Sequence, residues 1–282
     1  MKRQQLFLVI GGLVLFCSLF FFGKTVKPNK KTAAAAAHTE DSHNHLETSD
    51  ILTQAKQMLS PSRMQYLTGL ENNVVRGDVA DQKLHVYHQL ARFWKDSVPV
   101  YELYAYYTAE AAKLDNSEKS LTFAAHLFVD NLLTQEQPAM QHWLAENAKV
   151  LLDKALEINP DNDSSKIGLG ACYILGSISD NPMTSILPVK AIADKNPDNL
   201  FAQLVLALGS KKSGQYEKVV QRFEIIANKQ PDNLEAKFQL AECYELKGDK
   251  ANAIKWYQIV RDIIPNQEAK KELDNRINQL KS

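Results

Sequence analysis

The chain has 282 residues, and its 33 Lys and Arg are balanced by 33 Asp and Glu. That length suits one large domain or two small ones, and 45% apolar residues suffice for a packed core. The neutral balance argues against nucleic acid as a partner, and 23% charged residues with 11 Gly and 10 Pro exclude collagen, general disorder and a polytopic membrane protein. Three cysteines, Cys17, Cys172 and Cys243, are odd in number and far apart, so neither a disulfide framework nor a zinc spacing is present.

Residues 1–23 read as a membrane anchor. Leu6 to Gly23 carry no charge over eighteen residues, longer than the apolar run of about 7–15 in a signal peptide and near the roughly 20 that span a bilayer. Cleavage near Ala33–Ala37 is the rival reading, but those alanines lie far beyond the apolar run. Lipid attachment at Cys17 would need a small residue where Phe16 stands. Lys2 and Arg3 precede the span, and Lys24, Lys27, Lys30 and Lys31 come after it. A count of positive flanks places the bulk of the chain in the cytoplasm. A short basic leader before one apolar run resembles the common bacterial anchor that exports the remainder of its chain, and export is the expectation adopted.

Residues 24–48 hold almost no large apolar side chain and cannot bury enough surface to offset ordering, so a flexible tether is expected. His38, His43 and His45 lie there among Glu40, Asp41 and Asn44. Imidazoles and carboxylates suit zinc or nickel, but no rigid scaffold holds them, so incidental solvated histidines are the simpler reading.

Beyond the tether no segment alternates apolar and polar residues, and apolar positions recur at helical spacing. Ile51, Leu52, Ala55 and Leu59 form one stripe; Leu84, Tyr87, His88, Ala91 and Trp94 form another. Prolines at 61, 99, 138, 160, 197, 231 and 265 punctuate the run, each disfavouring helix before itself and suiting the first turn after. Helical hairpins in series are predicted, with degenerate repeats over 49–160. The hairpins expected there pair Leu84–Trp94 with Val100–Leu114, and Ser117–Leu133 with a helix through Ala148, Leu152 and Ala155. Phe93, Trp94, Tyr101, Tyr104, Tyr106 and Tyr107 make the densest aromatic cluster. It is read as hairpin core, with a second contact surface as the alternative.

Asn159-Pro-Asp-Asn162 returns as Asn196-Pro-Asp-Asn199, as Gln230-Pro-Asp-Asn233 and, altered, as Ile264-Pro-Asn-Gln267. The prolines step by 37, 34 and 34 residues, and about 34 is the tetratricopeptide period. Leu240-Ala241, Tyr244, Gly248, Ala253, Tyr257 and Pro265 resemble that family's large–small pair, aromatic, turn glycine, small residue, aromatic and closing proline. Leu206-Ala207, Gly214, Tyr216, Phe223 and Pro231 repeat it. Leu169-Gly170 and Tyr173 keep part of it, with three residues inserted around Ile178–Pro182. The resemblance covers 163–265 and implies an all-α, right-handed solenoid: three units over 161–265 and a capping helix over 266–282, with Ala269, Leu273, Ile277 and Leu280 on one face.

Such arrays bind peptides or partner helices on the face of successive first helices, called helices A. The resemblance carries that groove onto Ser164, Ile167, Ala171 and Ile174; then onto Phe201, Leu204, Leu208, Lys211 and Lys212; then onto Glu235, Phe238, Glu242 and Glu245. An apolar or amphipathic segment would suit it. The alternative is that these positions are covered by the protein's own helices or by a second copy. The basic–Asn clamp of chaperone-binding relatives is absent.

No enzyme reading stands. Gly168-Leu-Gly170 has no strand before it, and Asp161-Asn-Asp163 lacks a calcium loop's later ligands. His85 and His88 have no third ligand, and Cys172 and Cys243 hold equivalent positions expected to be buried. No cofactor is expected. The expectation is therefore a membrane-anchored adaptor that binds a protein or peptide, with lipid contact through residues 6–23. Its architecture resembles bacterial single-pass proteins of secretion, envelope assembly or cytochrome maturation. The rivals are a self-assembling structural protein, hence a homo-oligomer, and a metal-handling protein using the tether. The neutral total is a cancellation: residues 1–31 carry six basic side chains and no acidic one, a basic foot suited to anionic headgroups.

Overall fold

The computed structural model describes residues 46–76, 80–178 and 183–282. The anchor at 6–23, most of the tether and its histidines 38, 43 and 45 lie outside the described residues. Among the described residues every regular element is a helix: α1 (Thr48–Gln57), α2 (Pro61–Arg76), α3 (Ala80–Arg92), α4 (Tyr101–Asp115), α5 (Glu118–Leu132), α6 (Pro138–Ile158) and α7 (Asp163–Leu175). The series continues with α8 (Met183–Lys195), α9 (Leu200–Lys212), α10 (Tyr216–Lys229), α11 (Leu234–Leu246), α12 (Lys250–Ile263) and α13 (Gln267–Lys281). None of them is long and apolar enough to cross a membrane.

The repeated tetrapeptide works residue by residue. Asn159 ends α6, its N–H bonding to the carbonyl of Ala155, and its Oδ1 accepts from the N–H of Asp161. Pro160 takes the second place of a turn closed by the N–H of Asn162 on the carbonyl of Asn159 at 3.2 Å. The Asn162 side chain then accepts from the N–H of Ser165 and starts α7. Asn199 accepts from Ala202, Asn233 from Ala236, and Asn266 from Glu268 and Ala269, in the same way. Four residues thus satisfy groups at the ends of two helices.

Within the hairpins the opposite turn uses glycine. Gly214 and Gly248 adopt φ of 70° and 78°, the left-handed region that costs glycine least. The N–H groups of Gln215 and Asp249 bond five residues back, those of Gly214 and Gly248 three back, so helix-end carbonyls are filled. At the equivalent place after α7 the left-handed residue is Ser177, φ 52°.

Helices pair α3 with α4, α5 with α6, α7 with α8, α9 with α10 and α11 with α12, and α13 packs on α12. The first members form one layer, helices A, in which α5, α7 and α9 also pack directly on one another. Small residues permit the approach: a Cβ on Gly176 would lie 2.0 Å from the Cβ of Ala145. The core runs from Ile51 to Leu206, with two satellites towards the C-terminus. Leu273 and Ile277 of α13 are buried in the last of these, with Leu280 beside them, so α13 covers the end of the last hairpin. Most of the aromatic cluster is core as well, Phe93, Trp94 and Tyr107 being buried, whereas Tyr101 is exposed.

Helix α1 closes the N-terminal side. It packs on α4, and Trp143 of α6 donates its indole N–H to Thr48 at 3.1 Å. The described chain therefore enters from the layer of second helices, helices B. Two outcomes test this fold by urea denaturation followed by circular dichroism. Asn199→Ala should cost about 1 kcal/mol by removing a helix start, and Gly176→Ala about 1–3 kcal/mol through overpacking.

Candidate partner-binding cleft

The positions carried over from the family separate into three groups. Ile167, Ala171 and Ile174 are buried in the core, where they pack the described solenoid. The cause is the tight packing of α5, α7 and α9, which leaves no gap over α7. Ser164, on the same helix, accepts or donates a 2.7 Å bond with His126 of α5, whose ring lies 5.4 Å from that of Phe201 on α9. Burial holds the His126 imidazole below its usual pKa, against a smaller opposing pull from Asp130.

The charged positions are occupied within the chain. Lys212 donates to the carbonyls of Ile174 and Leu175 and to Ser177 Oγ, at 3.0–3.4 Å. It caps α7, where a cation meets the negative end of the helix dipole. Lys211 bonds Gln239 and Glu242 at 2.6 and 2.9 Å, tying α9 to α11. Glu245 accepts from Tyr257 at 2.9 Å and pairs with Arg276 of α13, and Glu235 accepts from Gln239. In the described structure these charges brace the solenoid. Phe201, Leu204, Leu208 and Phe238 remain half-buried, Leu204 and Leu208 leaning on the second core and Phe238 edge-on to Tyr257.

An open cleft lies elsewhere, in the hairpins without the signature. α3 and α5 share none of the direct packing that joins α5 to α7, so a hollow of about 640 Å³ opens between them over α4. Leu84, His88, Arg92 and Lys95 supply one wall, Tyr104, Thr108 and Ala112 the floor, and Ser120 and Phe123 the other wall. The α3 wall is shaped by a π-helical turn at Phe93–Ser97, a local widening frequent at functional sites. It buries Phe93 and Trp94, ring centres 5.0 Å apart at 83°, and leaves Lys95 outward, 5.3 Å from the centre of the Tyr104 ring.

Phe123 is 56% exposed at the mouth of this cleft. Asp115, at the other end, accepts 2.6 Å from Ser117 Oγ, and its carboxyl sits below the usual range chiefly for that reason. A hollow of this size accepts a few side chains, in the range of about 300–1,000 Å³ typical of ligand sites. It is open to solvent and lined by apolar, cationic and acidic groups. Among the described residues no group of three or more His, Cys, Asp or Glu is placed to hold a metal. Periodicity and composition single out His88 and Tyr104 but miss Arg92, Lys95 and Phe123. The available signal is an aromatic at a solvent-facing position of α5, legible only once that helix's buried face is known.

These hairpins, their 34-residue register and the helix that closes them form an α-solenoid that resembles the tetratricopeptide type. No protein-family model matches the sequence, and no curated protein matches it either. Among solved structures it is similar to MamA residues 41–end from Desulfovibrio magneticus RS-1, at 17% identity and TM-score 0.46, covering 66% of this chain and 96% of that one. It is also similar to YrrB, described as a TPR protein with an unusual peptide-binding site, at 15% identity and TM-score 0.44, covering 73% and 97%. A tetratricopeptide repeat protein from Parabacteroides merdae ATCC 43184 gives 17%, 0.39, 79% and 88%. The helix pairing and the repeat, not these overlaps, define the class.

The two described cysteines take no part in the cleft. Burial pushes the Cys172 thiol up to about 12 and the Cys243 thiol up to about 11. Both are therefore protonated at pH 8, and a thiolate reagent finds no nucleophile. Iodoacetamide at that pH should leave both unmodified in the folded chain, and modify both in urea, as read by peptide mass spectrometry. Lys212→Ala should lower stability by about 0.3–1 kcal/mol while leaving partner binding unchanged, a result that separates a helix cap from a groove cation.

Proposed function

We propose that this chain is a non-enzymatic, membrane-anchored adaptor that captures a peptide segment of a partner protein on its helix-A face. The observation that carries the reading is the α3/α5 cleft. There a hollow opens between two helices A, and it presents Phe123 largely to solvent. A large aromatic held at the mouth of a hollow is the kind of residue that dominates binding energy once a partner covers it. Within the described domain α1 lies on the B side, against α4 and α6.

Residues 6–23 would hold the chain in a bilayer, and the tether would let the domain search near it. Tethering raises the local concentration of any partner in the same membrane and strengthens capture without new contacts. The basic residues flanking the apolar run favour anionic headgroups. Export of the domain, and work in envelope assembly or secretion, are the proposed setting.

Site-specific photocrosslinking in native membranes tests the reading. A benzophenone amino acid at Phe123 should give discrete protein adducts, whereas one at Val150, exposed on helix α6 of the B layer, should give none. Adducts of equal yield from both positions, or none from Phe123, would refute capture at the cleft. Alkaline carbonate should leave the full chain in the membrane pellet and release a chain lacking residues 1–23.

A further inference from the structure

The chemistry of the cleft goes beyond its being open. Among the described residues Arg92 and Lys95 make no ion pair, whereas Lys211, Lys229, Arg261 and Arg276 of the C-terminal repeats each meet a carboxylate and Lys212 meets carbonyls. Both are exposed on the outermost turn of the α3 wall, where the π-helical turn sets them. Lys95 rests over the ring of Tyr104 instead of on an acid. The opposing carboxylates are Asp96 and Asp115. Asp115 stands at the far end, near His88, with its charge already met by Ser117. Asp96 lies between this cleft and an adjoining hollow of about 270 Å³ that contains Arg63 and Tyr66. Arg92 and Lys95 therefore share the cleft with Asp96 and Asp115, and Arg63 belongs to the adjoining hollow.

The remaining lining is mixed: Leu84, Ala91, Ala111, Ala112 and Phe123 are apolar, and His88, Tyr104, Thr108 and Ser120 bring polar atoms. Positive side chains at one rim and an apolar bed beside them call for the complementary pattern in a ligand. We propose that the α3/α5 cleft selects acidic peptides, seating an apolar side chain against Phe123 while flanking carboxylates reach Arg92 and Lys95. This rests on the reading of the cleft as the capture site, and adds the identity of the captured segment. Arginine suits the role because its planar fork meets a carboxylate with two parallel bonds. Charge of this kind at an exposed rim sets partner choice and association rate more than tightness. It also explains why the cleft needs no basic–Asn clamp: the cations stand on the α3 wall, outside the repeats that carry the signature.

The test uses the full chain in detergent and a pool of random octapeptides with one fixed Phe. The peptides retained by immobilised protein are sequenced and compared with the input. Asp and Glu should be enriched by about threefold or more beside the Phe, and the retained pool should fall by about tenfold between 50 and 500 mM salt. In the Arg92→Glu, Lys95→Glu double variant the acidic enrichment should vanish and Lys and Arg should replace it. Both residues are exposed and outside any ion pair of the fold, so this variant should keep the wild-type far-ultraviolet spectrum. Acidic residues at input frequency in the wild-type pool, or unchanged enrichment in the double variant, would overturn the proposal. If retention then persists but is lost in Phe123→Asp, the cleft stands and only its charge preference falls. If the wild type retains no more peptide than Phe123→Asp, both readings fall.

Discussion

A solenoid of helical hairpins can only stack if each hairpin's ends are closed without orphaned backbone groups between layers. Here a four-residue turn does that work. Its first residue ends one helix, its proline fixes the bend, and its last asparagine starts the next helix with a side-chain oxygen on a free N–H. Because the turn is short and always satisfied the same way, successive hairpins are held in one register. That register puts every helix A on one side and every helix B on the other. Without the turn, the close approach of α5, α7 and α9 would leave polar backbone buried with no partner, a cost of about 1–3 kcal/mol for each group.

The same constraint decides where a partner can bind. In the centre of the array the helices A touch, small residues fill the seams, and Ile167, Ala171 and Ile174 are sealed in the core. Towards the C-terminus α9 and α11 are bridged by Lys211 with Gln239 and Glu242, and Glu245 is drawn to the capping helix by Arg276. Such part-exposed pairs contribute modestly to stability, about 0–1 kcal/mol each, but they occupy side chains a ligand would need. Before the repeats begin, a hollow opens in the A layer. There α3 ends in a wider helical turn and meets α4 through Val98-Pro99, so α5 is set away from α3 and the floor between them stays exposed.

How much of this was legible depends on which level a residue answers to. The capping asparagines, the turn glycines and the face of α13 were legible because each acts within a few residues of itself. Gly214 and Gly248 mark left-handed turns in any helical hairpin of this kind. Lys212 was not legible, since its partners are the carbonyls of Ile174 and Leu175, some 37 residues earlier, and nothing local distinguishes a helix cap from a surface lysine. The burial of Ile174 has a related cause. The family's groove positions assume an open A layer, and here Gly209 on α9 lets the Ile174 side chain approach to 3.0 Å of where a Cβ would stand.

The neutral charge of the chain, a basic N-terminal foot offset by a mildly acidic remainder, is a property of sequence alone, and so are the helical class, the 34-residue register and the helix boundaries at each Asn-Pro-Asp-Asn turn. These arise from short-range physics: side-chain periodicity, proline's fixed φ and an asparagine's reach to its own third neighbour. The location of the open cleft, the pairing of Lys211, Lys212 and Glu245 within the array, and the exposure of Phe123 were decided by tertiary structure. They depend on the distance between helices A, which is the sum of packing choices made across several hairpins, and no stretch of a few residues contains it.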